Sequence, residues 1–396
     1  MTILSISENI LKYISGLGVL QGMLLAGLVY FHPKADKSVN KFLASYIFVM
    51  SLIMAIPFII KAVTWKNSWF IQPIPLLAGP LLYFYCRSFK EVITFKKAWP
   101  HFVLFFVYFI PTYINVSGFA AKYPDAETIP VQLFKSPFTL ILNYGRLAYA
   151  IIYFFLVRKT LISYQRSIKQ MFSETSNIEI KWGRLLVNGN ILIVIVGVIM
   201  FTLIVTHPEH FYLFLFINMA IATPYMYLVT FKGILQPTIW QLKSGTDKQV
   251  IENEIQEAEE IALEFIETQK AKPFKTFDRI DEAVEKIVSL MEKDKLYQET
   301  ELTLQHLADK IKIPAYQVSQ AINEGLKKNF YDLVNSYRVE EAKQLLLDPK
   351  NRNYTILSVG FEAGFNSKTT FNTVFKKFTG LTPTEYRVKQ EMVELV

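Results

Sequence analysis

Residues 355–387 read TILSVGFEAGFNSKTTFNTVFKKFTGLTPTEYR, and this stretch decides how the C-terminal part of the chain folds. Thr355–Ala363 predicts a short helix, and Gly364-Phe365-Asn366 predicts a turn. Ser367 is placed to cap a second helix by accepting a backbone N–H in its first turn. On that helix Phe371, Val374, Phe375 and Phe378 recur at the spacing of one buried helical face. Lys368, Thr369, Asn372, Thr373 and Lys376 then point outward. Gly364 and Gly380 stand where the backbone is expected to need a positive φ.

Working upstream, the same unit appears again. Leu302–Asp309 starts a short helix with Thr303 as its N-cap, and Lys310–Ile313 forms a turn. Pro314 is expected at the first position of the next helix. There Val318, Ala321 and Ile322 face inward. Tyr316, Gln317, Ser319, Gln320 and Asn323 face outward, with groups that can hydrogen-bond base edges. Between the two units, Phe330 to Leu347 reads as one long helix with Leu333, Val334, Tyr337, Ala342, Leu345 and Leu346 inward. Such a helix is a rod of roughly 25 Å. It can hold two outward helices near successive major-groove segments, which lie about 34 Å apart. A further helix covers about Asp278–Lys293, and no alternating strand pattern occurs. Two short helices, a tight turn and a polar face on the second describe a helix-turn-helix, here present twice.

At this point residues 283–388 resemble the AraC-type (AraC/XylS-like) DNA-binding domain. The resemblance runs through Leu304-x-x-Leu307-Ala308, Val318-Ser319-Gln320-x-Ile322-Asn323, Asn329-Phe330, Asn335-x-Tyr337-Arg338-Val339-x-x-Ala342 and Leu345-Leu346. It closes on Val359-Gly360-Phe361-x-x-Gly364-Phe365 and Phe371-x-x-x-Phe375-Lys376-Lys377-Phe378-x-Gly380-x-x-Pro383-x-x-Tyr386-Arg387. The resemblance implies two helix-turn-helix units joined by a helix and acting on transcription. It assigns recognition positions to Tyr316, Ser319 and Gln320 in the first unit, and to Lys368, Thr369, Asn372 and Thr373 in the second. Lys376 and Lys377 are the nearby bases. Arg338 and Arg387 read as structural or phosphate-positioning groups. One departure is Pro314-Ala315, where many members have a capping serine followed by proline. The resemblance covers about a quarter of the chain and does not extend to the rest.

The rest has another chemistry. Of 396 residues, 52% are hydrophobic and only 19% charged, which is greasy for a soluble protein. The one cysteine, Cys86, excludes an internal disulfide. Seven apolar runs fall at about 10–30, 40–61, 70–87, 99–117, 138–157, 185–206 and 211–231, each of a length to cross a bilayer as a helix. Pro73, Pro75 and Pro80 predict that the third is kinked or starts late. The first run lacks a basic n-region, having only Lys12, and no small-residue cleavage site is obvious before the next run, which argues against a cleaved signal peptide. Loop charges set the orientation. One set of loops holds Lys34, Lys37, Lys41, Arg87, Lys90, Lys96, Lys97, Arg158, Lys159, Arg166, Lys169, Lys181 and Arg184; the other holds Lys12, Lys61, Lys66, Lys122 and Lys135. The positive-inside rule puts the N-terminus outside and the C-terminus in the cytoplasm. The net charge of +8 has the same origin, since residues 1–240 carry +12 and residues 241–396 carry −4. Residues 235–272 are the connector. Its helix, about 248–270, carries a seam of Ile251, Ile255, Ala258, Ala262 and Phe265, which either packs on its own protein or pairs two copies.

Within the apolar half, Arg146 is the one basic residue deep in a run, and no acidic residue lies inside any run. It either snorkels outward, pairs with Glu209, or contacts an anionic ligand or lipid. Asn190 and Asn218 are expected to hydrogen-bond between helices. His207-Pro208-Glu209-His210 reads as a tight turn rather than a metal site. Gly18, Gly22 and Ala26 form a small-residue packing face and hint at a dimer. Gly118–Ser136, the longest exterior loop, is a candidate lid. No phosphate-binding glycine loop, zinc motif or nucleophile context occurs, so neither enzyme activity nor a cofactor is expected.

Together these readings predict an all-α protein. A seven-helix transmembrane bundle fills 1–234, the connector 235–272, and a two-unit helix-turn-helix domain 273–396. The expected role is a bacterial one-component transcription regulator of the inner membrane. Its partners would be promoter DNA, the bilayer, RNA polymerase, a second copy of itself, and an unidentified small-molecule or membrane signal. The alternative is a membrane receptor or transporter whose C-terminal domain is a protein-interaction module. Release of the C-terminal domain by proteolysis within 235–272 stays open.

Overall fold

Long, uniformly apolar runs satisfy their own backbone hydrogen bonds only as helices, and helices are what they form. The computed structural model describes residues 3–32, 37–89, 91, 93–175, 181–234 and 280–394. The connector, with its seam from Ile251 to Phe265, lies outside the described residues. Among those residues the secondary structure is helical apart from one isolated antiparallel bridge, Phe172 to Thr303. They divide into two compact units, one from residues up to 164 and 181–234, the other from 165–175 and 280–394.

The first unit contains seven helical segments long and apolar enough, by length and composition, to cross a membrane. Their bounds follow the seven expected runs closely. Helices α1 (Ile3–Phe31) and α2 (Lys37–Val63) are continuous. In the third segment the prolines remove backbone donors, and 3-10 turns at Trp65–Phe70 and Ile74–Leu77 precede α3 (Ala78–Arg87), the late start expected. The fourth is stepped, through Phe95–Ala98, Trp99–Phe102 and Val103–Val107, into α4 (Phe109–Lys122). Helix α5 (Pro137–Met171) has 35 residues and continues well past the end of its apolar run. Helices α6 (Lys181–Thr206) and α7 (Phe211–Ile234) complete the unit.

The small-residue face of α1 is used inside the chain. A Cβ on Gly22 would lie 2.1 Å from Ser51 Oγ and 2.7 Å from Met226 Sδ, and one on Gly18 would lie 2.5 Å from Met54 Cε. Helix α1 therefore approaches α2 and α7 closely through this face, which corrects the dimer hint: the surface is already occupied. Asn190 Nδ2 donates to Tyr46 Oη at 3.0 Å, and so links α6 to α2 as expected.

The second unit is built on α8 (Ile280–Glu292), α9 (Leu304–Ile311), α10 (Ala315–Gln320), α11 (Phe330–Leu347), α12 (Ile356–Glu362), α13 (Lys368–Thr379) and α14 (Pro383–Glu394). It has two cores. One gathers Ile287, Leu307, Val318, Ile322 and Val334; the other gathers Val339, Ala342, Val359, Phe365, Phe371 and Phe375. Helix α11 runs through both, its N-terminal half in the first core and its C-terminal half in the second.

Candidate nucleic-acid interface

The outward helices α10 and α13 are set by their turns. Thr303 Oγ1 accepts from the His306 N–H at 3.1 Å and starts α9, as its sequence position predicts. Lys312 takes a left-handed conformation, φ 56°, and turns the chain into α10. Pro314 sits at the cap position itself rather than at the first helical position, with ψ 139°, so that expectation is corrected by one residue. Its ring offers no capping oxygen, but its carbonyl accepts from Gln317 N at 2.9 Å and Val318 N at 3.1 Å, which is enough to open the helix. Val318, Ala321 and Ile322 are buried as expected. Tyr316 is exposed, and Ser319 and Gln320 are half-buried on the same short helix. Their polar groups meet helix neighbours: Ser319 Oγ accepts from Asn323 Nδ2 at 3.3 Å, and Gln320 Nε2 donates to Glu324 Oε1 at 3.2 Å.

In the second unit Thr355 Oγ1 accepts from Ser358 N and Ser367 Oγ from Thr370 N, both at 3.1 Å. Both expected glycines have positive φ, Gly364 at 96° and Gly380 at 80°. Phe371, Val374 and Phe375 are buried, but Phe378 is 39% exposed. That corrects its assignment to the core: it lies in the last turn before the Gly380 cap, past the aromatic cluster of Phe365, Phe371 and Phe375. Lys368, Thr369, Thr373 and Lys376 are exposed and Asn372 half-buried, so the five share the outward side of α13. Lys377 is different. Its Nζ lies 2.5 Å from Asp332 Oδ1 and 5.9 Å from the Tyr331 ring centroid, so this exposed lysine pairs with α11.

A seam that the sequence reading missed joins the two helix-turn-helix units. Arg338, on α11, is wholly buried. Its Nε donates to Tyr297 O and its Nη2 to Glu299 O, each at 2.7 Å, with Ser173 Oγ at 3.4 Å. Burial brings the guanidinium down to about 10, against the attraction of Glu174 and Tyr331. A Cβ on Gly364 would lie 2.6 Å from Tyr297 O, so the loop before the first unit presses on the turn of the second. Into the same seam runs Phe172–Thr175, the chain just after α5. Ser173 N donates to Leu302 O at 3.2 Å, Asn335 Nδ2 donates to Ser173 O at 3.0 Å, and Thr370 Oγ1 donates to Glu174 Oε1 at 3.1 Å. Ser173, Glu174 and Thr175 are all buried. This segment thus touches the residue before the α9 cap, the linking helix and the first turn of α13. A run of buried Ser-Glu-Thr carries no periodic signal. Arg387, expected to be structural, donates from Nη1 to Tyr354 O at 3.1 Å.

In the first unit Arg146 does not meet Glu209, which instead lies 3.4 Å from His207 within its own turn. Arg146 Nη1 donates to Gln72 O at 2.8 Å and Nη2 donates to Asn143 Oδ1, and the side chain lines a cavity of about 230 Å³. Asn218 lines the same cavity. Its Nδ2 finds no partner among the described residues, so the interhelical bond expected of it is not made.

Comparison with known proteins bears on the second unit. Residues 307–389 match a family model described as a helix-turn-helix domain. Uncharacterized HTH-type transcriptional regulators of Staphylococcus aureus, from strains COL and N315, are each 30% identical over 107 residues, 27% of this chain. The match spans only 14% of those relatives' own length. The solved structure of a protein of unknown function from Listeria innocua is 28% identical, with a TM-score of 0.24, over 26% of this chain and 93% of its own. The C-terminal part of the chain carries a helix-turn-helix domain.

Proposed function

We propose that the chain is a membrane-integrated transcription regulator of the AraC type that binds promoter DNA through α10 and α13. The observation that carries this reading is the pairing of two outward helices on one rod, α11, whose 18 residues span about 27 Å. Tyr316, Ser319, Gln320, Asn372 and Thr373 are the groups for base edges, and Lys368, Thr369 and Lys376 those for phosphates. The domain match of residues 307–389 supports the same reading. RNA polymerase and a second copy of the chain are further partners of such a regulator. Genome-wide mapping of DNA bound by the full-length chain tests it. The expected result is enrichment upstream of a limited gene set, lost in a Lys368→Ala, Asn372→Ala double variant. Binding spread evenly over the genome would overturn it.

Seven apolar segments and the loop charges support insertion in the inner membrane, with the N-terminus outside and the C-terminal unit in the cytoplasm. Reporter fusions at the two ends read this directly, and a cytoplasmic N-terminus would refute it. Residues 1–234 are the sensor half in this reading, apart from 165–175, which pack within the same compact unit as the helix-turn-helix helices. The reading as a receptor with a protein-interaction module draws on one observation, that residues 275–396 carry no net charge. Selective enrichment of promoters in the mapping experiment decides against it.

A further inference from the structure

We propose that the cavity beside Arg146 is a binding site for a small organic anion, a single carboxylate or similar acid group on a short apolar body. The proposal rests on reading residues 1–234 as the sensor half and names what that half takes up.

The charge comes first. Arg146 lies in the middle of an apolar helix, and its hydrogen-bond acceptors, Gln72 O, Gln72 Oε1 and Asn143 Oδ1, are all neutral. Among the described residues no carboxylate comes within ion-pair distance of it. Neutral acceptors satisfy a guanidinium's hydrogens but leave its charge uncompensated, and in an apolar setting that imbalance favours an anion. The fork of five N–H donors also matches a carboxylate in shape.

The walls fit the remainder of such a ligand. Ile56, Ile60, Leu142 and Phe201 give an apolar surface, and the unpartnered Asn218 Nδ2 offers one more donor to an acidic group. At about 230 Å³ the cavity is of a size for a short organic acid. The cavity also has a cover. The short helix Val131–Lys135 turns Leu133 and Phe134 inward to line it. The loop before that helix is tied down where Trp65 Nε1 donates to Ala126 O at 3.0 Å and Lys66 Nζ donates to Pro124 O. The stretch expected to be a lid therefore lines the cavity that holds Arg146.

The anion has two sources, a solute or the head of an anionic lipid, and the test separates them. Full-length protein in phosphatidylcholine nanodiscs is titrated with hexanoate and, in parallel, with hexan-1-ol, and thermal unfolding is followed. Hexanoate should raise the unfolding temperature saturably, with hexanol needing at least tenfold higher concentration, as expected for a charge-assisted contact. Arg146→Gln should abolish the difference between the two while the protein still elutes as one species. If that variant fails to fold, the discrimination measured on the unaltered protein still decides. In discs containing phosphatidylglycerol, a raised baseline with a diminished hexanoate response assigns the site to lipid. Equal responses to acid and alcohol, or no response to hexanoate in either disc, would overturn the proposal. No DNA enters the assay, so its outcome is independent of whether α10 and α13 bind promoters.

Discussion

Replacing Arg338 with leucine removes the hydrogen bonds that tie the linking helix to the loop before the first helix-turn-helix unit. Two of them, to Tyr297 O and Glu299 O, measure 2.7 Å and come from a cation. Charge-assisted bonds contribute about 1.5–3 kcal/mol each, and a buried acceptor left without a donor costs about 1–3 kcal/mol. Leucine avoids the desolvation of the guanidinium, which offsets part of that loss. The expected net destabilisation is about 3 kcal/mol, or roughly a hundredfold in the opening equilibrium. Hydrogen exchange on the full-length protein in detergent reads this locally. Amides of Phe330–Leu347 should exchange about a hundredfold faster, while those of α2 stay unchanged. Arg338→Lys should recover part of the protection, because one ammonium can reach only some of the carbonyls. If exchange along α11 in the leucine variant stays within about threefold of the parent, Arg338 does not hold the seam and the reasoning fails.

Other substitutions test neighbouring statements. Gly364→Ala meets both a positive φ and a carbonyl 2.6 Å from the new Cβ, whereas Gly380→Ala meets only the positive φ in open space. The first should cost clearly more than the second, for which about 1 kcal/mol is expected, and chemical denaturation ranks them. Thr303→Val removes the oxygen that accepts His306 N and should lower stability by about 1 kcal/mol in the same measurement. Lys368→Ala should weaken binding to all DNA sequences alike and reduce the magnitude of the salt slope by about 1, as a phosphate contact does, whereas Asn372→Ala should change sequence preference. Filter binding over a salt series distinguishes the two. Gly22→Leu drives a side chain into Ser51 and Met226 and should abolish folded full-length protein in the membrane fraction; normal yield would refute the close approach of α1.

The sequence made the local features legible because their signals are local. Thr303 and Ser367 cap helices through oxygens three residues from their targets, and proline marks the late start of α3. The apolar runs announce their helices by length alone. Where the reading slipped, tertiary context decided. Phe378 has the right spacing for the buried face but lies one turn past the core that would cover it. The pairing of Lys377 with Asp332, 45 residues earlier, is equally invisible before the fold brings the two together. Arg146 was recognised as unusual, while its acceptor Gln72 lies 74 residues away, a distance no pattern reports. The hardest case was Phe172–Thr175. A stretch of small polar residues between apolar runs reads as solvated loop, and only its partners at Leu302, Asn335 and Thr370 give it a buried role.

That segment changes what cutting the chain would mean. A protease acting between 235 and 272 would sever the covalent path to the helix-turn-helix units, yet the residues that complete their seam would remain on the other fragment. The backbone pairing at Ser173, the amide of Asn335 and the carboxylate of Glu174 are the contacts that would oppose release of the cut piece. For the same reason a recombinant piece starting at 273 lacks Ser173, the partner of Asn335 and Arg338. Adding residues 165–175 as a peptide, or grafting them ahead of residue 280, supplies that partner again. The second compact unit is therefore discontinuous in sequence, built from residues 280–394 together with a segment about a hundred residues earlier.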